Sequence, residues 1–496
     1  MPVSNAPSTE LKSPGVPIIK QMLMTFASGA TLDIRTQMLG LTIFEDIFAP
    51  VLQGEITLLD NIGLFDHMPI SGNEKLTVQF YSYGYSPDND NTNFIWRTFD
   101  ILNVSNVSYP NDYSKKYTLV FASPELKLNE MTKISKAWQN ASISKVISSI
   151  MTESLLFPSV TNTNPIEYTF RSPFLTSKDV EQDYMNLSLS NAVELFVEKT
   201  KYEEPYITLP YMKPFDAIKW LATRAVRNCG GRVPNNVSAN FLFFENKRGF
   251  QFVSLNTLME NKLGAVPIFY FGDAKENLER PWQMNRIESM HIEDNYNILD
   301  NINNGVYSSR LYTYEMSTGL LVEQDFDYLK QFPQNESVDR SSANGKTTDF
   351  PTIAVHNGVN PLTTAFESKR MVVPVSHIRG RDNTTAAGST RFNDASLQVG
   401  CETYLQARMS QLSKLTDFRI TIVVPGQSEH KVGDIVELDL QQWGYKDGSY
   451  DISMSPHRYL SGNYLITSIT HQLTNTSYKM IIELAKDSFL CGIGTK

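Results

Sequence analysis

The sequence predicts an α+β, β-rich multidomain fold. Three observations carry this. Short alternating apolar runs fill the first quarter of the chain and return near its end. Two stretches of helical period interrupt them. Length and composition also call for several cores: 496 residues allow about three or four domains of roughly 100–150 residues each. With 41% hydrophobic and 20% charged residues the chain can bury those cores and is not a disordered sequence.

The opening segment, "MPVSNAPSTELKSPGVP", is polar and rich in proline and serine. It is expected to be a flexible arm over residues 1–17, without the apolar centre of a signal peptide. No run approaches the ~20 apolar residues of a membrane span. Residues 18–125 read as a first β domain. "LMTFASGATLDI", "GEITLLDN", "EKLTVQFYSYG", "FDILNVSNVSY" and "KKYTLVFAS" alternate, and turn-forming residues separate them.

Residues 126–237 change period. Val146, Ile147, Ile150, Met151 and Leu155 predict a helix that Ser142 or Ser144 caps. "PFDAIKWLATRAVRNCGG" predicts a second, with Pro214 in its first turn and Phe215, Ile218, Leu221, Ala222 and Ala225 on one face. Gly230 is its expected end. Residues 238–270 return to β, with a hairpin turning at Asn246–Gly249. Residues 271–415 are mixed, with long polar stretches. They end in an amphipathic helix carrying Leu397, Cys401, Tyr404, Leu405, Arg408 and Leu412. Residues 416–490 are β again.

The two β regions repeat a pattern. "SGNEKLTVQFYS" is set against "KVGDIVELDLQQ", so that Gly72–Asn73 and Gly433–Asp434 each open an alternating strand. In the hairpin that follows, Phe99, Ile101 and Val104 match Tyr464, Ile466 and Ile469. In its second arm Tyr117, Leu119 and Phe121 match Met480, Ile482 and Leu484. The turns differ by two residues, and an even difference keeps side chains on the same face. The repeat predicts a second domain made discontinuously from 238–270 and 416–490.

Signatures of chemistry are few. The chain holds no Gly-x-Ser-x-Gly elbow, and "RSSANGKTTDF" has only half of a phosphate loop, with Arg340 where the first glycine belongs. No two of the seven histidines stand three or four apart, and Cys229, Cys401 and Cys491 have neither zinc nor disulfide spacing. These three are expected to be inert thiols. Glu293–Asp294 and Asp325 with Asp327 read as solvated acids, although a glycan hydrolase would need two such carboxylates across a cleft. Lys369, Arg370, Arg379 and Arg381 read as a basic loop. No cofactor, metal or catalytic residue is expected. The net charge of −9 argues against nucleic-acid capture.

Larger stretches carry a resemblance. "LPYMKPFDAIKWLATRAVRNCGG" with "ANFLFFENKRGFQFVSLNTL", "NNGVYSSRLYTYEMSTGLLVEQDFDY", "RITIVVPGQSEHKVGDIVELDL" and the early "GEITLLDNIGLFDHMPISGNEKLTVQF" occur in the order seen in phage tail hubs. From about residue 20 to 490 the chain resembles the central baseplate hub protein of T-even-type contractile-tailed bacteriophages. It departs in the N-terminal arm and in the polar part from about 331 to 395. The resemblance implies two tail-tube-like antiparallel β-barrel domains related by internal duplication, plus mixed α/β insertion domains, with residues 271–415 meeting the spike. It further implies a homotrimer in the virion baseplate, assembled in the bacterial cytoplasm, with three chains giving six similar positions. Its implied partners are the central spike protein, the tail tube or its initiator, and other baseplate proteins, with DNA only in passage. The hub of a related contractile injection machine is an alternative. Another class altogether would be a glycan hydrolase or a receptor-binding module.

Overall fold

The computed structural model describes residues 15–64, 70–82, 94–155, 194–227, 240–260, 266–271, 284–295, 298–315, 319–331, 337–339, 355–356, 360–361, 367–375, 404–415, 417–446, 449–457 and 460–488. The first unit contains β1 (Pro17–Thr25), β2 (Thr31–Asp33), β3 (Met38–Asp46), β4 (Gln53–Asp60), β5 (Lys75–Ser82), β6 (Ile95–Asn111) and β7 (Ser114–Ala122). The middle region gives β8 (Ile134–Ser142), β9 (Glu194–Val197), β10 (Glu203–Met212), β11 (Phe241–Asn246) and β12 (Gly249–Ser254). It also gives the helices Pro124–Met131, Ile143–Ser154, Pro214–Ala222 and Leu255–Glu260. Next come β13 (Ile268–Phe271), β14 (Ser289–Asn295), β15 (Ser308–Glu315), β16 (Leu321–Asp327), β17 (Val355–His356), β18 (Asn360–Pro361) and β19 (Lys369–Val375). The helix Leu405–Leu415 leads to β20 (Phe418–Pro425), β21 (Ile435–Lys446), β22 (Ser449–Pro456), β23 (Gly462–Leu473) and β24 (Tyr478–Ala485).

One 14-stranded sheet system runs through both β units. Its path is β14-β20-β24-β23-β3-β4-β7-β6-β5-β1-β2, and β21 joins β23 while carrying β13 and β22. The alternation read from the sequence is the alternation of burial: Leu76, Val78 and Phe80 of β5 point inward, as do Tyr117, Leu119 and Phe121 of β7. A single hydrophobic core spans both units. The fold is β-rich and multidomain.

The middle region has its own core. Val146, Ile147, Ile150 and Met151 of one helix meet Phe215, Ile218 and Leu221 of the other. Ser142 caps the first through the Lys145 amide, at 3.4 Å, and Pro214 stands in the first turn of the second. That second helix closes at Ala222, short of the expected Gly230, which lies outside the described residues.

Two expected boundaries move. The arm gives way to strand at Pro17, and the Gly15 carbonyl already accepts a 2.6 Å bond from the Tyr478 amide. The hairpin β11–β12 was expected in the second unit. It pairs instead with β9, in parallel, and only β13 of that stretch joins the second unit, on β21. The reason is that both faces of the hairpin are apolar. Phe241, Phe243, Phe250 and Phe252 fill the middle core, whereas Leu242, Phe244 and Val253 fill the large one. The 271–415 stretch likewise lends β14 to the second unit, against β20. The same stretch also holds a separate three-stranded sheet, β16-β15-β19, and the two-stranded β17-β18.

Candidate assembly interface between the two units

The two units share a strand order. In the first it is β3-β4-β7-β6-β5; in the second it is β14-β20-β24-β23-β21, and every neighbouring pair in both is antiparallel. Registers agree as well. Ile101 pairs with Phe121 and Val104 with Leu119, while Ile466 pairs with Leu484 and Ile469 with Ile482. Each first arm carries a bulge at the same place, between Ile101 and Asn103 and between Ile466 and Ser468. A bulge re-aims the strand that carries it and is not a random defect. Outside these five strands the units differ: β1 pairs antiparallel to β5, whereas β13 pairs parallel to β21.

The residues singled out in the sequence occupy corresponding places. Phe99, Ile101, Tyr464, Ile466 and Ile469 are buried, and Val104 packs against the same core. Phe99 pairs with Leu76 and Tyr464 with Val436. Gly72 and Gly433 both hold the left-handed conformation, at φ 91° and 89°. The residues after them do not correspond one to one. The Ile101 amide donates to the Glu74 carbonyl at 3.0 Å, and the Ile466 amide donates to the Asp434 carbonyl at 2.9 Å. Glu74, not Asn73, is therefore the counterpart of Asp434, because the first turn carries one more residue.

The two carboxylates do the same work. Glu74 accepts from the Ser71 amide at 3.0 Å, from the Ser71 hydroxyl at 2.9 Å and from the Gly72 amide at 2.7 Å. Asp434 accepts from the Lys431 amide at 3.2 Å and pairs with the Lys431 ammonium. Burial pushes the Glu74 carboxyl up, but these donors outweigh it and hold it below the usual carboxylate value.

The units meet edge to edge. β3 of the first lies antiparallel to β23 of the second, in register from Ser468–Asp46 to Leu473–Leu41. A buried polar chain runs along this seam. The His471 Nδ1 is 2.8 Å from the Tyr478 hydroxyl, which donates to the Gln427 carbonyl at 3.3 Å. On its other side His471 Nε2 stands 3.5 Å from Glu45 Oε1, and Glu45 accepts from the Val432 amide. Ser82 and Ser428 join the units again, hydroxyl to hydroxyl, at 3.2 Å.

The β11–β12 hairpin pins the seam from one side. Glu245 accepts from the Leu52 amide at 2.9 Å and from the Ser123 hydroxyl at 2.5 Å, and Arg97 donates to the Asn246 carbonyl at 2.7 Å. Lys247 donates to the Ser428 carbonyl across in the second unit. Burial raises Glu245 to about 7 and lowers Lys247 to about 7. Sequence reading missed Glu45, Glu74, His471, Glu245 and Lys247. Glu45 is a charged residue inside an apolar run, which was an available signal; Glu74 and Lys247 stand in polar turns, where sequence gives none.

Of the acids considered for chemistry, Asp325, Asp327 and Glu293 stand near basic side chains. Arg310 contacts Glu323 at 2.6 Å, Asp325 at 2.6 Å and Glu367 at 2.5 Å, and Asp327 meets Lys330 at 3.2 Å. Glu293 accepts from the Thr421 hydroxyl at 2.7 Å. Lys369 and Arg370 lie on β19; Arg379, Arg381, the three cysteines, Leu397 and the Gly345–Thr347 stretch lie outside the described residues. Among the described residues no group of three or more His, Cys, Asp and Glu could hold a metal ion, and no helix is long and apolar enough to cross a membrane.

Two β units of one strand order, paired edge to edge within one chain, mark the fold of a structural protein built on an internal repeat. Comparison with known proteins gives the particular likeness. The chain is 22% identical over 470 residues to the probable baseplate hub protein gp334 of Vibrio phage KVP40, covering 92% of this chain and 91% of that one. No family model matches. Among solved structures, a tail protein from Neisseria meningitidis MC58 superposes with a TM-score of 0.46 at 10% identity, covering 94% of this chain and 96% of that one. The 43 kDa tail protein of prophage MuSo2 from Shewanella oneidensis superposes with a TM-score of 0.47 at 10% identity, over 94% and 98%. The likeness to the Vibrio phage protein bears out the resemblance to phage baseplate hub proteins read from the sequence.

Proposed function

We propose that this protein is the structural hub of a phage tail baseplate. Three copies form a ring that adapts a sixfold tail tube to a threefold central spike and leaves a channel for DNA. The observation that carries this is the internal pair of five-stranded units with one strand order and one register. A closed trimer of such chains presents six similar positions, and this resolves the mismatch of symmetry between tube and spike.

The likeness to a baseplate hub protein over nearly the whole chain supports the same reading. The spike, the tube or its initiator, and other baseplate proteins are the partners this role requires. The virion is its place, reached after assembly in the bacterial cytoplasm. The role is architectural, and no reaction is assigned to the chain. A net charge of −9 per chain, summed over three, would keep passing DNA from adhering to the channel wall. Native mass spectrometry of the concentrated full chain tests the reading. A species of three chains supports it; a strict monomer at every concentration counts against it.

A further inference from the structure

Each β unit ends on a buried acid that another part of the chain supplies. The two ends correspond residue by residue. The last strand of the first unit closes with Ala122 beside Gln53, and the Ser123 amide then donates to the Leu52 carbonyl at 3.1 Å. The last strand of the second closes with Ala485 beside Arg419, and the Lys486 amide donates to the Phe418 carbonyl at 3.2 Å. Ser123 and Lys486 are therefore counterparts, each just past its last strand.

Both side chains reach a carboxylate from outside the repeat. Ser123 donates to Glu245 of β11, and Lys486 meets Asp339 Oδ2 at 3.0 Å. Glu245 and Asp339 are each 1% exposed. A main-chain amide of the receiving unit completes each site, Leu52 for Glu245 and, at 2.8 Å, Asn463 for Asp339 Oδ1. The carriers are unrelated. Glu245 comes on a hairpin of the middle region. Asp339 comes on a short stretch of the polar part from about 331 to 395, where the sequence departs from the hub pattern.

The second site encloses its segment fully. Val338 enters the large core, and Ser337 to Asp339 are no more than 2% exposed. The Val338 amide donates to Asp487 Oδ1 at 3.0 Å and the Asp339 amide to the Ser488 hydroxyl at 3.2 Å. The Asn463 side chain donates to the Val338 carbonyl at 3.4 Å. Lys486 also donates to the Ser461 carbonyl at 3.0 Å and lies over the Tyr464 ring. Burying a carboxylate is costly unless partners of this kind surround it.

We propose that each unit carries, just past its last strand, a socket for one carboxylate, and that the two sockets fasten the middle region and the polar part to the repeat. Glu245 fills the first and Asp339 the second. The duplication thus copied an attachment site along with the strands, and unrelated segments came to occupy the copies. The sockets differ in charge. The first offers a hydroxyl and an amide, with Arg97 4.0 Å away; the second places an ammonium in direct contact. Neutralising the acid should matter little at the first and much at the second.

Hydrogen exchange on the full chain, read by mass spectrometry, tests this. In the unchanged chain, residues 337–339 should exchange as slowly as the start of β23; fast exchange there overturns the socket. Asp339→Asn leaves Lys486 buried without a counter-charge and should speed exchange at 337–339 and 463 by about tenfold or more, with β3 and β4 unchanged. Lys486→Met added to Asp339→Asn should restore part of that protection, since neither charge is then left alone. Glu245→Gln keeps an acceptor for the Leu52 amide and should speed exchange there by less than about tenfold. No change at 337–339 in Asp339→Asn, or the larger effect in Glu245→Gln, overturns the proposal. Where Asp339→Asn alone does not fold, the double variant decides: a folded chain with 337–339 protected supports the socket, and one that also fails to fold overturns the pairing of Asp339 with Lys486 as its basis.

Discussion

Glu45 and His471 face each other across the strand pair that joins the two units, Oε1 to Nε2 at 3.5 Å, and both side chains are buried. Removing one partner leaves the other in an apolar seam without its compensation. His471→Ala also removes the bond to the Tyr478 hydroxyl. It should cost about 3 kcal/mol, within the range for breaking a buried pair. Glu45→Gln keeps an acceptor for the Val432 amide and should cost about 1 kcal/mol. Denaturant midpoints of the two variants check the order.

The two matched glycines give an internal control. Both hold left-handed backbone, so alanine is strained at either. At Gly72 an added Cβ meets nothing within 4 Å, and the loss should stay at about 1–2 kcal/mol. At Gly433 it meets Leu258 Cδ2 at 3.1 Å, beside Phe244. Gly433→Ala should therefore be the worse variant, by thermal melting of the pair side by side.

Gly54 and Ile420 are counterparts whose volumes are exchanged with their neighbours. An added Cβ at Gly54 meets the Phe121 ring at 2.5 Å and collides with the Thr42 carbonyl. In the second unit, Ile420 pairs with Leu484, where the first unit has Gly54 with Phe121. Gly54→Ala should destabilise by about 1–3 kcal/mol through overpacking, or more because the carbonyl cannot move aside. Phe121→Leu added to Gly54→Ala should recover part of the loss, which a double-mutant cycle in denaturant measures.

The hairpin that pins the seam should make stability depend on pH. Burial holds Glu245 near 7, against an ordinary 4.5, so the folded chain keeps a proton that the unfolded chain has released. Stability from this group falls as pH rises through about 4.5 to 7. Asp487, raised by burial to about 6, acts in the same direction. Lys247 is lowered to about 7, so the unfolded chain holds the extra proton above that value, and stability rises with pH from about 7 to 10.5. Melting temperatures measured against pH should fall less between about 4.5 and 7 in Glu245→Gln than in the unchanged chain. An identical slope would contradict the assignment.

Much of this was legible in the sequence because alternation and burial share a period of two. The hairpin arms at Phe99–Val104 and Tyr464–Ile469 show it, as does the cap at Ser142. Asn73 was a different matter, since a one-residue difference in turn length is invisible without the hydrogen bonds of Glu74 and Asp434. Two strands at the margins of the units also escaped. β3 and β14 carry Glu45, Asp46, Glu293 and Asp294 within short apolar runs, and the Glu293–Asp294 pair read as solvated acids. The β11–β12 hairpin was misplaced because phenylalanines on both faces satisfy two cores at once. Period reveals that a strand is buried, not which core receives it.

Electron microscopy of the assembled full chain tests the central claim most directly. The expected particle is a ring of three copies with an open channel, threefold overall and near-sixfold at the level of the two β units. A particle whose two units lie at different heights or radii, or one without a channel, would contradict it.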